Sequence, residues 1–344
     1  MTDGPLVPPA EVAQWLEALP EPVAITGGTG FVGSHLVDTL CAAGKEVRAL
    51  VRNPSDPRWI SDRPVEWIEG SLEQPEALTR LVEGAGTVVH LAGVVTADSA
   101  AGFDLGNAEG TVRVVAAVRS AAPRAKLVYV SSLAAAGPAT GPEGVGPEAV
   151  PAPVSDYGRS KLAGERAVRS LGGDRWWCVV RPPAIYGPRD TDMFELFKMA
   201  WTGFAAIPSG DRWLTVSHVS DVVRCVLAAA SSEESGRTYH LGEPTPYRMD
   251  RLIRELADAM DRRVRIVKVP PATVSLLAGV AGPLRRIGLL NTALTRDKAR
   301  EALQPYWTAK TPESLDRLGV GEQVPLASGA RDTWVWYRAC GWLG

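Results

Sequence analysis

The stretch Val23-Ala-Ile-Thr-Gly-Gly-Thr-Gly-Phe-Val-Gly33 constrains the fold more than any other part of the chain. The apolar run 23–25 reads as a buried strand, and residues 31–41 repeat apolar side chains at helical spacing. A strand that runs through a glycine-rich turn into a helix suits a dinucleotide phosphate. Gly27 permits the tight turn, Gly30 lets backbone N–H groups approach the pyrophosphate, and Gly33 lets the helix pack on the strand. The positive end of the helix then faces the phosphates. The spacing G-x-x-G-x-x-G is one residue longer than the usual fingerprint, and taken alone such a turn also serves a purely structural bend.

Downstream, strands and helices alternate. Strands are expected at 46–51, 65–69, 87–91, 126–131 and 176–181, with helices at 75–82, 108–121 and 155–171. Alternation of this kind predicts an α/β fold with a doubly wound parallel Rossmann sheet and the ligand at the strands' C-terminal ends. Residues 137–153, rich in Gly and Pro, read as a mobile loop over that edge. After Arg181 the pattern loosens, with helices expected near 193–202, 219–230, 249–260 and 311–318. The expected organisation is an N-terminal arm (1–20, with one amphipathic helix over 10–19), a dinucleotide-binding domain (21–182) and a smaller substrate lobe (183–344). Some elements of that lobe return to the Rossmann core.

Composition narrows the function classes. A net charge of −2 favours neither nucleic acid nor an anionic membrane as partner. The four cysteines lie far apart with no C-x-x-C pair, so neither a thiolate metal site nor a disulfide framework is expected, and a reducing cytoplasm fits best. No metal-ligand set stands out. No apolar run approaches a membrane span. The longest, 274–284, reads as a buried or pocket-lining helix, with a membrane-surface patch as the alternative.

Two further signals carry chemistry. In Tyr157-Gly-Arg-Ser-Lys161 the phenol and the ammonium fall one helical turn apart on one face. A free phenol titrates near ~10, and a neighbouring ammonium favours its ionised form. Such a tyrosine can protonate a carbonyl oxygen, or take a proton from an alcohol, as hydride moves. The bland reading is a surface helix pair. In Lys126-Leu-Val-Tyr-Val-Ser-Ser132 a strand ends in two hydroxyls placed to reach a ligand crevice, although serine also ends strands in ordinary turns.

In this order the pieces resemble extended short-chain dehydrogenase/reductases, the superfamily of NAD(P)-dependent sugar epimerases and dehydratases, 3β-hydroxysteroid dehydrogenases and dihydroflavonol reductases. The matching segments are 26–33, 90–93, 107–111, 130–132, 157–161, 181–188 and 218–222, with a similar Trp336-Tyr337…Gly341-Trp342 ending. The resemblance implies Tyr157 as acid/base, Lys161 as the residue that binds the nicotinamide ribose and lowers the tyrosine pKa, and Ser132 as the group that polarises the substrate oxygen. Ser132 is preferred to Ser131 because it stands five residues before Gly137. Asn107 is implied as a structural residue rather than a proton relay. The implied cofactor set is Gly27, Thr29, Gly30, Phe31, Val32, Gly33, Arg52, Ser71, Leu72, Leu91, Ala92, Gly93, Tyr157, Lys161, Pro182 and Ile185. Dimerisation through helices 100–121 and 155–171 is a further implication.

Departures from the family's subtypes narrow the reaction. Leu133 and Ala134 stand where the sugar dehydratases carry Asp-Glu, which disfavours dehydration. Leu214 stands where nucleotide-sugar epimerases carry an arginine, with Arg212 nearby as a substitute. Phe204, Ile207, Trp213 and the 274–284 run suggest an apolar pocket, or simply core. At the end of the second strand Val51 takes the place of the NAD-selecting acid, and Arg52 follows. A guanidinium suits a 2′-phosphate, so NADP(H) is favoured over NAD(H), unless Arg52 is only a solvated loop residue. Ser71 replaces the usual aspartate near the adenine. The expected activity is hydride transfer between NADP(H) and a ketone or secondary alcohol on a mainly apolar small molecule. The alternatives are a nucleotide-sugar 4-epimerase that keeps NAD bound and a non-catalytic cofactor-sensing protein.

Overall fold

The computed structural model describes residues 10–53, 58–276, 278 and 295–343. Its centre is a seven-stranded sheet. The first six strands are β1 (Val23–Thr26), β2 (Val47–Val51), β3 (Val65–Glu69), β4 (Thr87–His90), β5 (Lys126–Val130) and β6 (Trp177–Arg181). The order is β3-β2-β1-β4-β5-β6, closed at the β6 edge by strand Arg237–His240. Every pairing is parallel. Parallel strands are covered on both faces, which is why β1, β4 and β6 are buried throughout, down to the polar Thr26, Thr87, His90 and Arg181 at their ends.

The pleat sends alternate side chains to opposite cores. Val23 and Ile25 join Leu36, Leu40, Val222 and Val226 on one face, under helices Phe31–Ala42 and Val219–Ser231. Ala24 joins Leu78, Leu81, Val114 and Val168 on the other, under helices Pro75–Val82, Gly110–Ala121 and Asp156–Arg169. Each such Leu or Val contributes about 1.5–3 kcal/mol on burial. The expected arm helix forms at Ala10–Ala18 and adds Val12 and Leu16 to the first core.

The second half has its own core of Phe197, Leu252, Ile253, Leu256, Ala330 and Tyr337. It is built on helices Phe194–Thr202, Met249–Ala259 and Leu326–Ala339. Helix Val219–Ser231, strand Arg237–His240 and Leu315 of helix Pro312–Leu318 return to the main sheet. Among the described residues, helices Leu133–Ala136, Arg296–Ala302 and Leu326–Ala339 escape the sequence pattern.

The loop 137–153, expected to be mobile from its Gly and Pro content, is hydrogen-bonded to a distant segment. Ala139 N donates to Tyr306 O at 2.9 Å, Val145 N to Thr308 O at 3.0 Å and Lys310 N to Val145 O at 3.0 Å. Thr308 Oγ1 adds a bond to Gly141 O at 2.9 Å. Its glycines and prolines shape a path whose backbone groups are paired by a segment far along the chain.

Candidate active site at the C-terminal edge of the sheet

Because all seven strands run the same way, the residues that follow each of them meet at one edge. Gly27 follows β1, Arg52 follows β2, Ser71 and Leu72 follow β3, Leu91 to Gly93 follow β4, Ser131 and Ser132 follow β5, and Pro182 follows β6. The chain moves outward from β1 to β3 and then crosses to β4 on the other side of β1, so a crevice opens between β1 and β4. Gly27 sits in that crevice at φ +77°, and a Cβ there would lie 2.6 Å from Ala92 N. A Cβ on Gly33 would lie 2.1 Å from Gly27 O. Only glycine at both positions lets the turn, the neighbouring strand and the helix meet.

Helix Phe31–Ala42 has Gly30 at its N-cap with no side-chain cap. Its first N–H groups suit an anion. Thr29, Phe31 and Val32 are half-buried along this turn, and Val32 leans on the core. Arg52 is exposed beyond the buried Val51. Ser71 is part of a tight turn, its N–H donating to Gln74 Oε1 at 3.0 Å. Leu72 packs against Gly110, and Ile185 against the first core. A glycine cradle, an uncapped helix N-terminus and a cation at the end of β2 fit a dinucleotide.

Beneath the crevice runs one directed hydrogen-bond chain. Ala92 N donates to Thr26 Oγ1 at 3.2 Å, and Thr26 Oγ1 stands 2.6 Å from His90 Nδ1. His90 Nε2 stands 2.9 Å from Thr111 Oγ1, which donates to Asn107 O at 2.6 Å. With the Thr111 proton so used, His90 donates from Nε2 and accepts at Nδ1. Burial, with Lys161 nearby, holds His90 neutral at a pKa of about 3. Asn107 clamps both backbone groups of Val94, at 2.7 and 2.9 Å, and donates to Ser160 Oγ at 2.9 Å. These bonds match a structural role for Asn107.

Ser132, Tyr157 and Lys161 converge where β5 ends. Ser132 caps helix Leu133–Ala136, its Oγ accepting from Ala134 N at 3.1 Å, and its hydroxyl is near enough to the Tyr157 phenol to pull that group's pKa down. Lys161 is buried, donates to Val130 O at 2.9 Å and lies over the Tyr129 ring. A Cβ on Gly93 would stand 3.3 Å from Lys161 Nζ, so the ammonium lies against the turn after β4. Burial lowers the Lys161 pKa to about 8, with Glu165 acting the other way. The Tyr157 pKa is raised, first by burial, then by Glu301 and Asp192, while the Ser132 hydroxyl lowers it. The net displacement in the protein alone is upward, against the expectation that Lys161 favours the phenolate. Burial of the phenol outweighs an ammonium that is itself desolvated and bonded to a carbonyl.

Several residues that build this site carry no local motif. Asp297, from the helix Arg296–Ala302, accepts from Asp156 N at 2.7 Å and Tyr157 N at 3.1 Å, capping the helix that carries Tyr157. Glu301 accepts from Ser155 Oγ at 2.5 Å. Below, the buried Glu165 takes both Arg181 donors at 2.7 Å and Ser131 Oγ at 2.7 Å. This bond assigns Ser131 to the scaffold and leaves Ser132 at the crevice. Arg181 continues to His240, whose Nδ1 lies 3.0 Å from Val145 O.

Other expectations change. Arg212 is no substitute for a nucleotide-binding arginine, because it is buried and donates to Ala302 O at 3.1 Å and Ser209 O at 3.0 Å. Ile207 is core, whereas Phe204 is 53% exposed, so these two do not form an apolar pocket. Most of the 274–284 run lies outside the described residues.

Comparison with known proteins agrees with this geometry. The chain is 34% identical over 328 residues to a ceramide reductase of Caulobacter vibrioides, covering 93% of this chain and 96% of the relative. It is 29% identical to a 4-hydroxy-2-methyl-3-oxo-4-farnesyl-3,4-dihydroquinoline-1-oxide ketoreductase of Stigmatella aurantiaca, covering 72% and 75%. Among solved structures, MoeE5 in complex with UDP-glucuronic acid and NAD superposes with a TM-score of 0.75 at 23% identity, covering 93% of this chain and 100% of that one. This last likeness is one of fold. The profile of the NAD dependent epimerase/dehydratase family matches residues 23–242. With its glycine turn, parallel sheet and nucleotide crevice, the chain belongs to the NAD dependent epimerase/dehydratase family, within the extended short-chain dehydrogenase/reductases.

Proposed function

We propose that this protein is an NADP(H)-dependent oxidoreductase that interconverts a ketone and a secondary alcohol on a mainly apolar small molecule. The observation that carries this reading is the convergence of Ser132, Tyr157 and Lys161 at the end of β5, beside the β1–β4 crevice. A bound nicotinamide would supply or accept the hydride. In the reductive direction Ser132 donates a hydrogen bond to the substrate carbonyl, and Tyr157 delivers the proton to that oxygen as negative charge develops on it. A raised phenol pKa suits Tyr157 to hold its proton until then. Lys161, fixed by Val130 O, presents its charge to the cofactor ribose and to the phenolate left behind.

The neighbours of Ser132 support reduction over dehydration. Leu133 and Ala134 are buried, at 3% and 7% exposure, and neither side chain can move a proton. The engaged Arg212 removes the residue on which the sugar-nucleotide reading leaned. Relatives named for ceramide and for a farnesylated ketone point the search toward large apolar carbonyl compounds. For the cofactor, Arg52 stands exposed at the end of β2 with no carboxylate in the adjacent Val51 position.

The test is a titration of the purified protein with NADPH and NADH, followed by turnover with apolar ketones, for the parent and Arg52→Ala. NADPH is expected to bind at least about tenfold more tightly, and Arg52→Ala to remove most of that preference, as the loss of a charge-assisted phosphate contact of ~1.4 kcal/mol or more does. A parent that prefers NADH, or a preference that survives Arg52→Ala, would overturn the cofactor assignment. Absence of turnover across a broad ketone panel would overturn the reaction.

A further inference from the structure

One surface of the second lobe plays no part in hydride chemistry. Trp201 and Trp334 lie with ring centroids 6.2 Å apart, where helix Phe194–Thr202 ends against helix Leu326–Ala339. Arg262 stacks over Trp201 at 4.1 Å, and Arg338 covers the same ring at 5.5 Å and Trp334 at 6.0 Å. Arg331 covers Trp334 at 5.2 Å. Arg265 stands in register beside Phe204, which is 53% exposed. Val335, also 53% exposed, shares a helix face with Arg331 and Arg338, four residues before it and three after.

The charge here is one-sided. The stretches Asp261–Lys268 and Arg331–Arg338 hold six basic residues against two acidic, in a chain whose net charge is −2. Asp261 is already paired with Arg331 at 3.0 Å. Among the described residues, Arg262, Arg263, Arg265 and Arg338 form no ion pair. Here three arginines share two rings, and Arg263 and Arg265 add exposed charge without one. Lysine-poor, arginine-rich charge of this kind suits phosphate oxygens.

From this juxtaposition we infer that the Trp201–Trp334 face docks the protein reversibly on an anionic lipid bilayer. The guanidiniums meet lipid phosphates, held in place by the half-buried indoles on which they stack, and the exposed Phe204 and Val335 make shallow apolar contact. The exposed aliphatic Val335 beside Phe204 favours this occupant, whose acyl region accepts both side chains, over a nucleic-acid duplex, whose outer surface is sugar and phosphate. No helix among the described residues is long and apolar enough to cross a membrane, so the contact is with one face. Docking of this kind depends on neither cofactor nor turnover and stands or falls separately from the proposed reaction.

The experiment is flotation of the full chain with vesicles of phosphatidylglycerol and phosphatidylcholine, against vesicles of phosphatidylcholine alone, at low and high salt. Binding is expected to be at least about tenfold tighter to the anionic vesicles and to fall steeply with salt. The double substitution Arg263→Glu with Arg265→Glu leaves the Arg262 stack intact, and it is expected to weaken binding by about tenfold or more. Its NADPH affinity should stay at the parent value, which shows that the fold persists. Phe204→Ser should weaken vesicle binding by a smaller factor. Equal binding to both vesicle types, binding to neither, or parent-like binding by the double variant overturns the inference. Capture by heparin or RNA without vesicle binding also overturns it and reassigns the surface to a soluble polyanion.

Discussion

The Lys161 ammonium donates to the carbonyl oxygen of Val130 at 2.9 Å, joining the helix of Tyr157 to the last residue of β5. That bond aims a buried charge at the crevice, and the fold bears a cost for it. Burial lowers the Lys161 pKa to about 8, below the ordinary lysine value, so an unfolded chain holds this proton more tightly than the folded one. Below about pH 8 the charge therefore opposes folding, and stability from this group rises as pH climbs from about 8 toward the ordinary lysine pKa of ~10.4. Lys161→Met is expected to raise the unfolding free energy at pH 7 by about 1–3 kcal/mol after loss of the carbonyl bond, read as a higher urea midpoint, while turnover falls by about 10²-fold or more. Equal or lower stability in that variant would contradict the assignment of strain to this charge.

Tyr157→Phe removes the proton and keeps the ring, which packs against Phe103 at 6.0 Å between centroids. Turnover is expected to fall by about 10²–10⁴-fold, the usual worth of a positioned acid/base, with NADPH affinity nearly unchanged. Single-turnover kinetics that retain parent rates would remove Tyr157 from its role.

Asp297 acts on the same tyrosine from a helix 140 residues away in sequence. Asp297→Ala leaves the N–H groups of Asp156 and Tyr157 without their cap. A stability loss of about 1–2 kcal/mol is expected, with a drop in kcat larger than the change in KM, because the catalytic helix is no longer held. Asn at this position, which still accepts one bond, should restore part of both. A purely structural cap would leave kcat untouched.

Glu165 and Arg181 form a two-pronged ion pair with side chains 0% and 1% exposed. Burial raises the Glu165 pKa, but the Arg181 bonds outweigh it and the net displacement is downward. Glu165→Leu alone strands a buried guanidinium and is expected to destabilise by about 3–5 kcal/mol. Combining Glu165→Leu with Arg181→Met should lose less than the first change by itself. Additive losses in chemical denaturation would show that the two side chains are not coupled.

Three buried histidines set the acid limit of the fold. Burial first, and nearby cations or imidazoles second, lower His90 to about 3 and His218 and His240 to about 4. The unfolded chain takes up these protons below ~6.5 and the folded chain does not, so stability is full above that pH and falls toward pH 4, by up to ~1.4 kcal/mol per pH unit per histidine. Glu243 and Asp190, each raised by burial to about 7, work the other way, because the folded state gains their protons as pH falls below about 7. The histidine loss and the carboxyl gain therefore oppose one another between pH 7 and pH 5, and Glu243→Gln, which removes part of the gain, is expected to lower the urea midpoint more at pH 5 than at pH 7. An equal effect of Glu243→Gln at the two pH values would refute this account.

Much of the core was legible from residue order. Short apolar runs alternating with helical spacing are best buried as parallel strands between two helical layers, and G-x-x-G-x-x-G after the first of them suits a close turn. The alternation therefore placed the ends of β1 to β6 at one edge, and with them the candidate residues that follow each strand. Periodicity also located helix Asp156–Arg169 to within two residues at its C-terminal end. Each of these inferences rests on contacts within about one turn or one strand, where spacing along the chain and distance in space are nearly the same thing.

Tertiary structure decided the rest. Nothing near Arg296–Ala302 announces that Asp297 and Glu301 reach the N-terminus of the Tyr157 helix, since the partners stand 140 and 146 residues apart. The same holds for the loop 137–153, which residues 306–310 pin in place, and for Arg212, which closes on backbone carbonyls instead of a ligand. The upward displacement of the Tyr157 pKa belongs to this class too. Spacing puts an ammonium one turn away, but desolvation of both groups is a property of everything packed around them. Local sequence determined the strands, the turn and the order of the site. The hydrogen bonds and charges that tune it come from long-range packing, which no short stretch of residues encodes.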